Sequence, residues 1–309
     1  VRRAANFINT GSVEEATTEG LVVVRSARRR LEAVWERFEG DGRWLSAPRS
    51  TVDATWMGGR DRRPILAVAS ALRGGGSRTP VAIALAKELA ARGLEPILWV
   101  RGYRGQPTRA GWVTRGATAD AHGDEAVVAR ASLPEAIAIW RGDWRSAPPR
   151  RGRLVVADGL FVGRPTPGVW TLQLAGRSSP TRALAGLHLA RSSLMERAML
   201  EGGAGGSIGL LTACARPARV RAALRSLGAR PVLHVELGDH EPPSWQTLDR
   251  LARVHRLAAW CVDAKAGAWP VATNIAVMRI HHEVRLPPSV LEEATRWLAG
   301  TTLDGSDAR

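Results

Sequence analysis

Cysteine, tyrosine, phenylalanine and long apolar runs are all scarce in this chain. Of 309 residues two are Cys, one is Tyr and three are Phe, against 12 Trp. Cys214 and Cys261, one widely separated pair, form neither a disulfide framework nor a zinc motif, and both read as core thiols. No apolar stretch approaches the roughly 18 residues that cross a bilayer, which argues against a transmembrane helix. The longest early run, "GLVVV" at 20–24, is followed by "RSARRR". That is the reverse of a signal peptide's basic-then-apolar order, so a cytosolic compartment is expected. Few Tyr and Phe are available for base stacking and no RNA or DNA motif is present, so no specific nucleic-acid partner is expected.

Positive charge, by contrast, is abundant. Lys and Arg number 44 against 29 Asp and Glu, a net charge of +15, and arginine supplies nearly all of it. Such a field favours an anionic partner, whether phosphate, acidic lipid or nucleic acid, without choosing between them. A coding bias toward Arg, Ala and Gly is the alternative source. With 45% hydrophobic and 24% charged residues the composition is that of a soluble globular protein. The length suits one large domain or two smaller ones.

Residues 1–20 are polar and aperiodic and read as a disordered tail. Across 21–60 the sequence suggests an amphipathic helix, Leu21–Phe38, and a loop. Leu31, Val34, Trp35 and Phe38 make a helical stripe beside a basic face. The helix suits a membrane surface or its own domain equally. Beyond it, apolar runs alternate with helical segments. Strands are expected at Ile65–Ser70, Pro96–Val100, Ala136–Trp140, Leu154–Ala157, Trp170–Leu174, Ile208–Thr212, Val232–Glu236 and Ala258–Val262. Helices are expected at Val81–Ala91, Ala183–Leu200 and Ala218–Leu227. The alternation implies an α/β fold with a mainly parallel sheet and flanking helices. "EGGAGGS" at 201–207 is the linker candidate, separating a core at 61–200 from a smaller C-terminal portion at 201–300, with a tail at 301–309.

The stretch "RGGGSRTPVAIALAKELAARG" at 73–93 reads as a glycine turn between strand and helix. A phosphate loop places successive backbone N–H groups, a helix N-terminus, a Lys and a hydroxyl around an anion and its Mg²⁺. Here only the hydroxyl of Thr79 fits that pattern, so a plain glycine turn is the competing reading. Asp124 opens a probable helix, where an acid also serves as a first-turn charge. Asp158 ends an apolar strand, where acids of parallel sheets face the ligand crevice. His240 lies in a loop between Asp239 and Glu241, where a solvated histidine is the alternative.

The order of the motifs is more informative than any one of them. After the glycine stretch come "VRGYRG" at 100–105, "HGDEAVV" at 122–128, "VVADGLF" at 155–161 and "GDH" at 238–240. This succession, over residues 60–300, resembles the tetraacyldisaccharide 4'-kinase family of lipid A biosynthesis, whose pattern runs GGTGKTP, RGYRG, GDEP, DDGLQH and DH. The resemblance implies a P-loop NTPase-like fold and Mg²⁺- and ATP-dependent phosphorylation of the 4'-hydroxyl of a lipid A precursor disaccharide. It also implies peripheral attachment to the anionic cytoplasmic face of the inner membrane. Gly74, Gly75, Gly76, Ser77, Arg78 and Thr79 would face the nucleotide, Thr79 and Asp158 the metal, and Asp124 with His240 would form a catalytic dyad.

The departures fall on the chemistry. Arg78 stands for the family's Lys, Ser77 for a Gly, Ala157 for the first Asp of DDG, and Ser179 for an Arg that Arg177 or Arg182 could replace. "WCVDA" at 260–264 keeps only Asp263 and Ala264 of the family's TEKDA. A catalytically degenerate protein that binds lipid or nucleotide without turnover is therefore the alternative expectation.

Overall fold

The computed structural model describes residues 13–16, 21–30, 63–70, 77–102, 110–142, 148–149, 152–159, 168–175, 186–190, 194–203 and 205–303. The chain opens with strands β1 (Val13–Ala16) and β2 (Val22–Arg25), then β3 (Ile65–Ser70), helix α1 (Arg78–Ala91), β4 (Pro96–Val100) and β5 (Gly111–Trp112). There follow α2 (Ala119–His122), α3 (Asp124–Ser132), β6 (Ala138–Arg141), β7 (Leu154–Asp158), β8 (Val169–Ala175), β9 (Gly186–Ala190) and β10 (Met195–Glu201). The last third holds β11 (Ile208–Thr212), α4 (Pro217–Ser226), β12 (Leu233–Glu236), α5 (Trp245–Val254), β13 (Ala259–Asp263), β14 (Ala276–Arg285) and α6 (Pro288–Leu303). Two compact units result, Val1–Trp44 with Arg197–His282 (unit 1) and Leu45–Glu196 with Glu283–Arg309 (unit 2). The linker expected at 201–207 is not where the chain changes unit; it does so at 44/45, 196/197 and 282/283.

Unit 2 is built on a seven-stranded sheet of order β5-β6-β4-β7-β3-β8-β9, parallel except for the β5–β6 pair. Its central strands are continuous apolar runs because both faces are covered. Leu66 and Val68 of β3 join Val81, Leu85 and Leu89 of α1 and Val290, Leu291 and Leu298 of α6 in one core. Ile65 and Ala67, the alternate residues, pack on the other face with Ile97, Trp99 and Val155. Helix α1 is apolar nearly all round its first three turns, with Val81 through Ala86 all buried, as a helix enclosed by its domain must be.

The sheet of unit 1 has the order β1-β2-β12-β11-β13-β14-β10, with β2, β12, β11, β13 and β14 mutually parallel. Leu211, Leu233 and Trp260 pack with Trp245, Leu248 and Leu251 of α5. On the opposite face, Leu210 and Cys261 meet Val220 and Leu224 of α4.

Three expectations are corrected. Val13–Ala16, placed in a disordered tail, is β1, antiparallel to β2. Leu21–Phe38 does not form one helix: Val22–Arg25 is a strand paired to β12, because three successive β-branched valines fit a buried sheet better than a helix turn. The stretch Ala183–Leu200, rich in Leu, Ala, Met and Arg, contains β9 and β10 instead of a helix, and β9 adds to β8 in parallel register. There sheet pairing overrides the helical propensity of the side chains.

Candidate functional site

The carboxyl ends of β3, β4, β6, β7 and β8 share one edge of the unit 2 sheet, where ligand crevices of parallel α/β sheets open. Four of the residues expected at a phosphate and metal site, Ser77, Arg78, Thr79 and Asp158, and the expected catalytic Asp124 belong to this unit. Gly74, Gly75 and Gly76, with Tyr103, Arg104, Arg177, Ser179 and Arg182, fall outside the described residues.

Ser77 is the N-cap of α1 and is buried with φ of 59°, the left-handed region that favours glycine. The backbone thus keeps the conformation for which the resembled pattern uses Gly, although the side chain has changed. Ser77 Oγ donates to Glu196 Oε1 at 3.1 Å. Arg78 and Thr79 follow as the first residues of α1, both half-buried, with no acidic residue in that turn.

Asp158 ends β7, buried, opposite Val68 in the register with β3. The amide of Gly159 donates to the Val68 carbonyl at 2.8 Å. Gly159 has φ of 82°, and a Cβ there would come within 3.0 Å of an Arg78 guanidinium nitrogen. Arg78 therefore lies across the turn that follows Asp158. Ala157, the position of the missing carboxylate, is wholly buried among apolar residues.

Asp124 opens α3 and is 1% exposed; its Oδ1 accepts the amide of Glu125 at 2.8 Å. The turn before it is packed against β4. A Cβ on Gly102, at φ of 63°, would come within 2.5 Å of Arg141 Cγ and 2.8 Å of the His122 carbonyl oxygen. Arg141 ends β6, is buried, and has its pKa lowered by that burial. Arg101 is exposed.

The remaining candidate, His240, belongs to unit 1. It is buried, with φ of 61°, and its amide donates to the Ala213 carbonyl at 3.2 Å. Its Nε2 lies 3.3 Å from Asp239 Oδ2 and 3.2 Å from Lys265 Nζ, and Lys265 Nζ donates to Asp239 Oδ1 at 2.7 Å. Burial pushes the Asp239 carboxyl up, but the His240 hydrogen bond and the Lys265 charge outweigh it and hold the group well below the usual range. Asp263, at the end of β13, accepts the amides of Ala266 at 2.7 Å and Ala213 at 3.2 Å. Burial nonetheless raises its pKa, and burial beside this carboxylate raises that of Cys214 well above the thiol range.

Glu196, Arg141, Asp239 and Lys265 were not among the expected site residues. Lys265 carried the one usable signal, being one of only two lysines in an arginine-rich chain. Among the described residues no group of three or more His, Cys, Asp or Glu is placed to hold a metal ion. Among them, too, no helix is long and apolar enough to cross a membrane.

A family model described as tetraacyldisaccharide-1-P 4'-kinase matches residues 47–148. Three relatives are named tetraacyldisaccharide 4'-kinase. The protein of Methylorubrum extorquens is 28% identical over 78% of this chain and 84% of its own length. That of Paramagnetospirillum magneticum is 35% identical over 32% of each chain. That of Xanthobacter autotrophicus is 39% identical over 35% of this chain and 34% of its own. The chain thus spans about a third of the length of two of these relatives and most of the third. Among solved structures, LpxK from Aquifex aeolicus in complex with ATP superimposes with a TM-score of 0.51, over 77% of this chain and 88% of that one, at 12% identity, a likeness of fold. These matches make the chain similar to the tetraacyldisaccharide 4'-kinase family, by family model over residues 47–148 and by one relative over most of its length.

Proposed function

We propose that the protein transfers the γ-phosphoryl group of ATP to the 4'-hydroxyl of a tetraacyldisaccharide 1-phosphate, a lipid A precursor, at the cytoplasmic face of the inner membrane. The observation that carries this reading is the pairing of β3, which leads to Ser77 and α1, with β7, which ends in Asp158. That arrangement puts a helix N-terminus beside a buried carboxylate, the two elements a nucleotide phosphate and its cation require. The left-handed Ser77 and the acid-free first turn of α1 suit an anion. The hydroxyl of Thr79 and the carboxylate of Asp158 are hard oxygen donors of the kind Mg²⁺ takes, and they would hold it. When bound, the ion neutralises charge on the transferring phosphoryl group.

Asp124 accepts the proton of the sugar hydroxyl. Its carboxylate is oriented by the Glu125 amide, which donates to Oδ1. Arg78 supplies positive charge in place of the Lys of the family pattern, as a planar fork. His240 is assigned as the second member of the dyad on the resemblance alone. The +15 charge favours an anionic lipid surface.

Asp124→Ala is expected to abolish ATP-dependent phosphorylation of the lipid disaccharide, measured by product formation. Unchanged turnover removes the assignment. A second reading, binding without turnover, is favoured by the Ser77–Glu196 hydrogen bond, which sets a carboxylate at the mouth of α1. Titration with Mg²⁺-ATP separates the two. The kinase reading requires binding that weakens in Arg78→Ala; absence of binding at millimolar nucleotide leaves the second.

A further inference from the structure

The parallel strands of unit 1 start on the edge opposite the one where Asp239, His240 and Lys265 lie. Backbone bonds fix that starting edge: Val22 donates to the Val232 carbonyl at 3.1 Å, Val232 to Ile208 at 3.0 Å and Ala258 to Ser207 at 2.7 Å. The starts of β2, β12, β11 and β13 therefore lie side by side, roughly 5 Å apart. Helices α4 and α5, which cover opposite faces of the sheet, both run back to this edge and end there. A Cβ added to Gly203, Gly205 or Gly228 would meet nothing within 4 Å.

Apolar surface and positive charge collect here together. Of the five large apolar side chains that stay exposed among the described residues, three belong to this edge: Leu227 at 40%, Val232 at 38% and Val254 at 60%. Arg230, Arg253 and Arg256 are exposed beside them along the chain. Arg253 Nε donates to the Asp249 carbonyl at 3.3 Å, a bond that does not neutralise its charge. No hydrogen bond or ion pair with a described residue engages the side chain of Arg230 or Arg256. The only acid of the edge among the described residues is Glu201, whose Oε2 lies 3.1 Å from His281 Nε2. Asp249, farther up α5, accepts from Thr273 and Asn274.

The two helices close in the same way but with different residues. After α4, Gly228 and Ala229 donate to the carbonyls of Arg225 and Leu224; after α5, Arg256 and Leu257 donate to those of Arg253 and Ala252. The left-handed residue is Gly228 in one, with φ of 81°, and Arg256 in the other, with φ of 51°. Helix closure alone favours glycine at that position. Arg256 instead adds a cation to the rim.

We propose that this edge of unit 1 docks on an anionic lipid bilayer, with Leu227, Val232 and Val254 in the headgroup layer and Arg230, Arg253 and Arg256 on lipid phosphates. The choice of a bilayer deepens the reading above, in which the substrate is a membrane lipid, and rests on it. Apolar side chains among cations suit an anionic interface, where burial and charge act together. A single-stranded nucleic acid would call for Trp, Tyr or Phe to stack on, and the described residues of this edge hold none.

The test is sedimentation of the full chain, without nucleotide, with vesicles of phosphatidylcholine alone and with about one-third phosphatidylglycerol. The wild type is expected to bind the mixed vesicles and not the neutral ones. Arg230→Gln combined with Arg256→Gly should weaken that binding about 20-fold, roughly fivefold for each arginine. Glycine suits the left-handed turn, so this variant keeps its fold, and its melting temperature checks that. Val254→Ser should weaken binding severalfold, by a loss that persists when salt is raised from about 0.1 to about 0.5 M, whereas the arginine contribution fades. Binding alike in wild type and double variant, binding with no preference for the anionic lipid, or retention by a polyribonucleotide but not by vesicles overturns the proposal. Vesicle binding that follows the variants in a chain that does not phosphorylate the disaccharide keeps the surface and removes the kinase reading. Turnover on detergent-dispersed disaccharide, with vesicle binding indifferent to the variants, keeps the kinase reading and removes the surface.

Discussion

Two aspartates in this protein end apolar, fully buried parallel strands of the same length, Asp158 on β7 of unit 2 and Asp263 on β13 of unit 1. By sequence the two are alike. In the structure Asp263 is turned into its own unit, where the amides of Ala213 and Ala266 and the thiol of Cys214 take up its carboxylate and tie the β11 and β13 loops together. Asp158 is followed by a left-handed glycine with the Arg78 guanidinium lying across it, beside the strand that leads to α1. A carboxylate at a strand terminus is therefore not a functional mark by itself. What distinguishes the two is their surroundings: amides of the β11 and β13 ends take up Asp263, whereas a left-handed glycine with the Arg78 guanidinium across it follows Asp158.

The most severe test of this contrast is Asp158→Asn. It should lower turnover by about 100-fold or more, the scale of losing one electrostatic contact in the transition state. The melting temperature should stay within about 2 °C, by calorimetry. Asp263→Ala should do the reverse. It leaves two buried amides without an acceptor, about 2–4 kcal/mol, and should lower the melting temperature by roughly 5–10 °C. If Asp158→Asn melts as early as Asp263→Ala and still turns over, the two aspartates have the same role.

Acid sharpens the comparison at the level of whole units. In unit 1, burial first, then the charges of Arg221, Arg25 and Arg29, push the His234 imidazole down to about 3. Burial with Arg219 and His281 pushes His282 down to about 4. Each binds its proton more readily in the unfolded chain. Their stabilising contribution is complete above about pH 6.5 and is lost as pH falls toward the folded values, at up to about 1.4 kcal/mol per pH unit for each group. Amide exchange in β11–β13 should therefore accelerate between pH 6.5 and 4 faster than exchange in β3 and β7. His234→Gln should flatten that slope, and an unchanged slope would exclude the histidine as its source.

The smallest effect is expected at Ser77→Gly. The left-handed backbone costs a residue with a Cβ about 1 kcal/mol, and glycine's extra unfolded-state freedom offsets about that much. Stability should hardly move. Mg²⁺-ATP affinity, by titration calorimetry, should rise severalfold, because the hydroxyl that holds Glu196 is gone. Unchanged affinity would show that Glu196 does not compete with phosphate.

Much of the fold was legible in the residues. Ile65–Ser70, Pro96–Val100 and Ile208–Thr212 are strands with the bounds their apolar runs suggest, since a strand buried on both faces needs no alternation to be recognised. Arg78–Ala91 and Pro217–Ser226 form the helices expected there, with ends moved by one to three residues. Val22–Arg25 was not legible as a strand because its partner β12 lies about two hundred residues on, and Gly186–Ala190 because its Leu- and Ala-rich residues favour helix. The site divides the same way. Asp124 and Asp158 stand at element ends that local sequence marks, whereas the Asp239–His240–Lys265 cluster is assembled from loops after different strands, and Glu196 reaches Ser77 from a stretch that reads as helix.

The last turns of the chain, α6, supply Val290, Leu291, Ala294 and Leu298 to the same core as Leu66 and Leu85. All residues of unit 1 have been synthesised by His282, but unit 2 lacks one wall of its interior until α6 has been made. During translation unit 2 is therefore begun after unit 1 and finished after it. A stop codon before α6 would spare Ser77, Asp124, Asp158 and the Asp239–His240–Lys265 cluster and still leave unit 2 without a closed core.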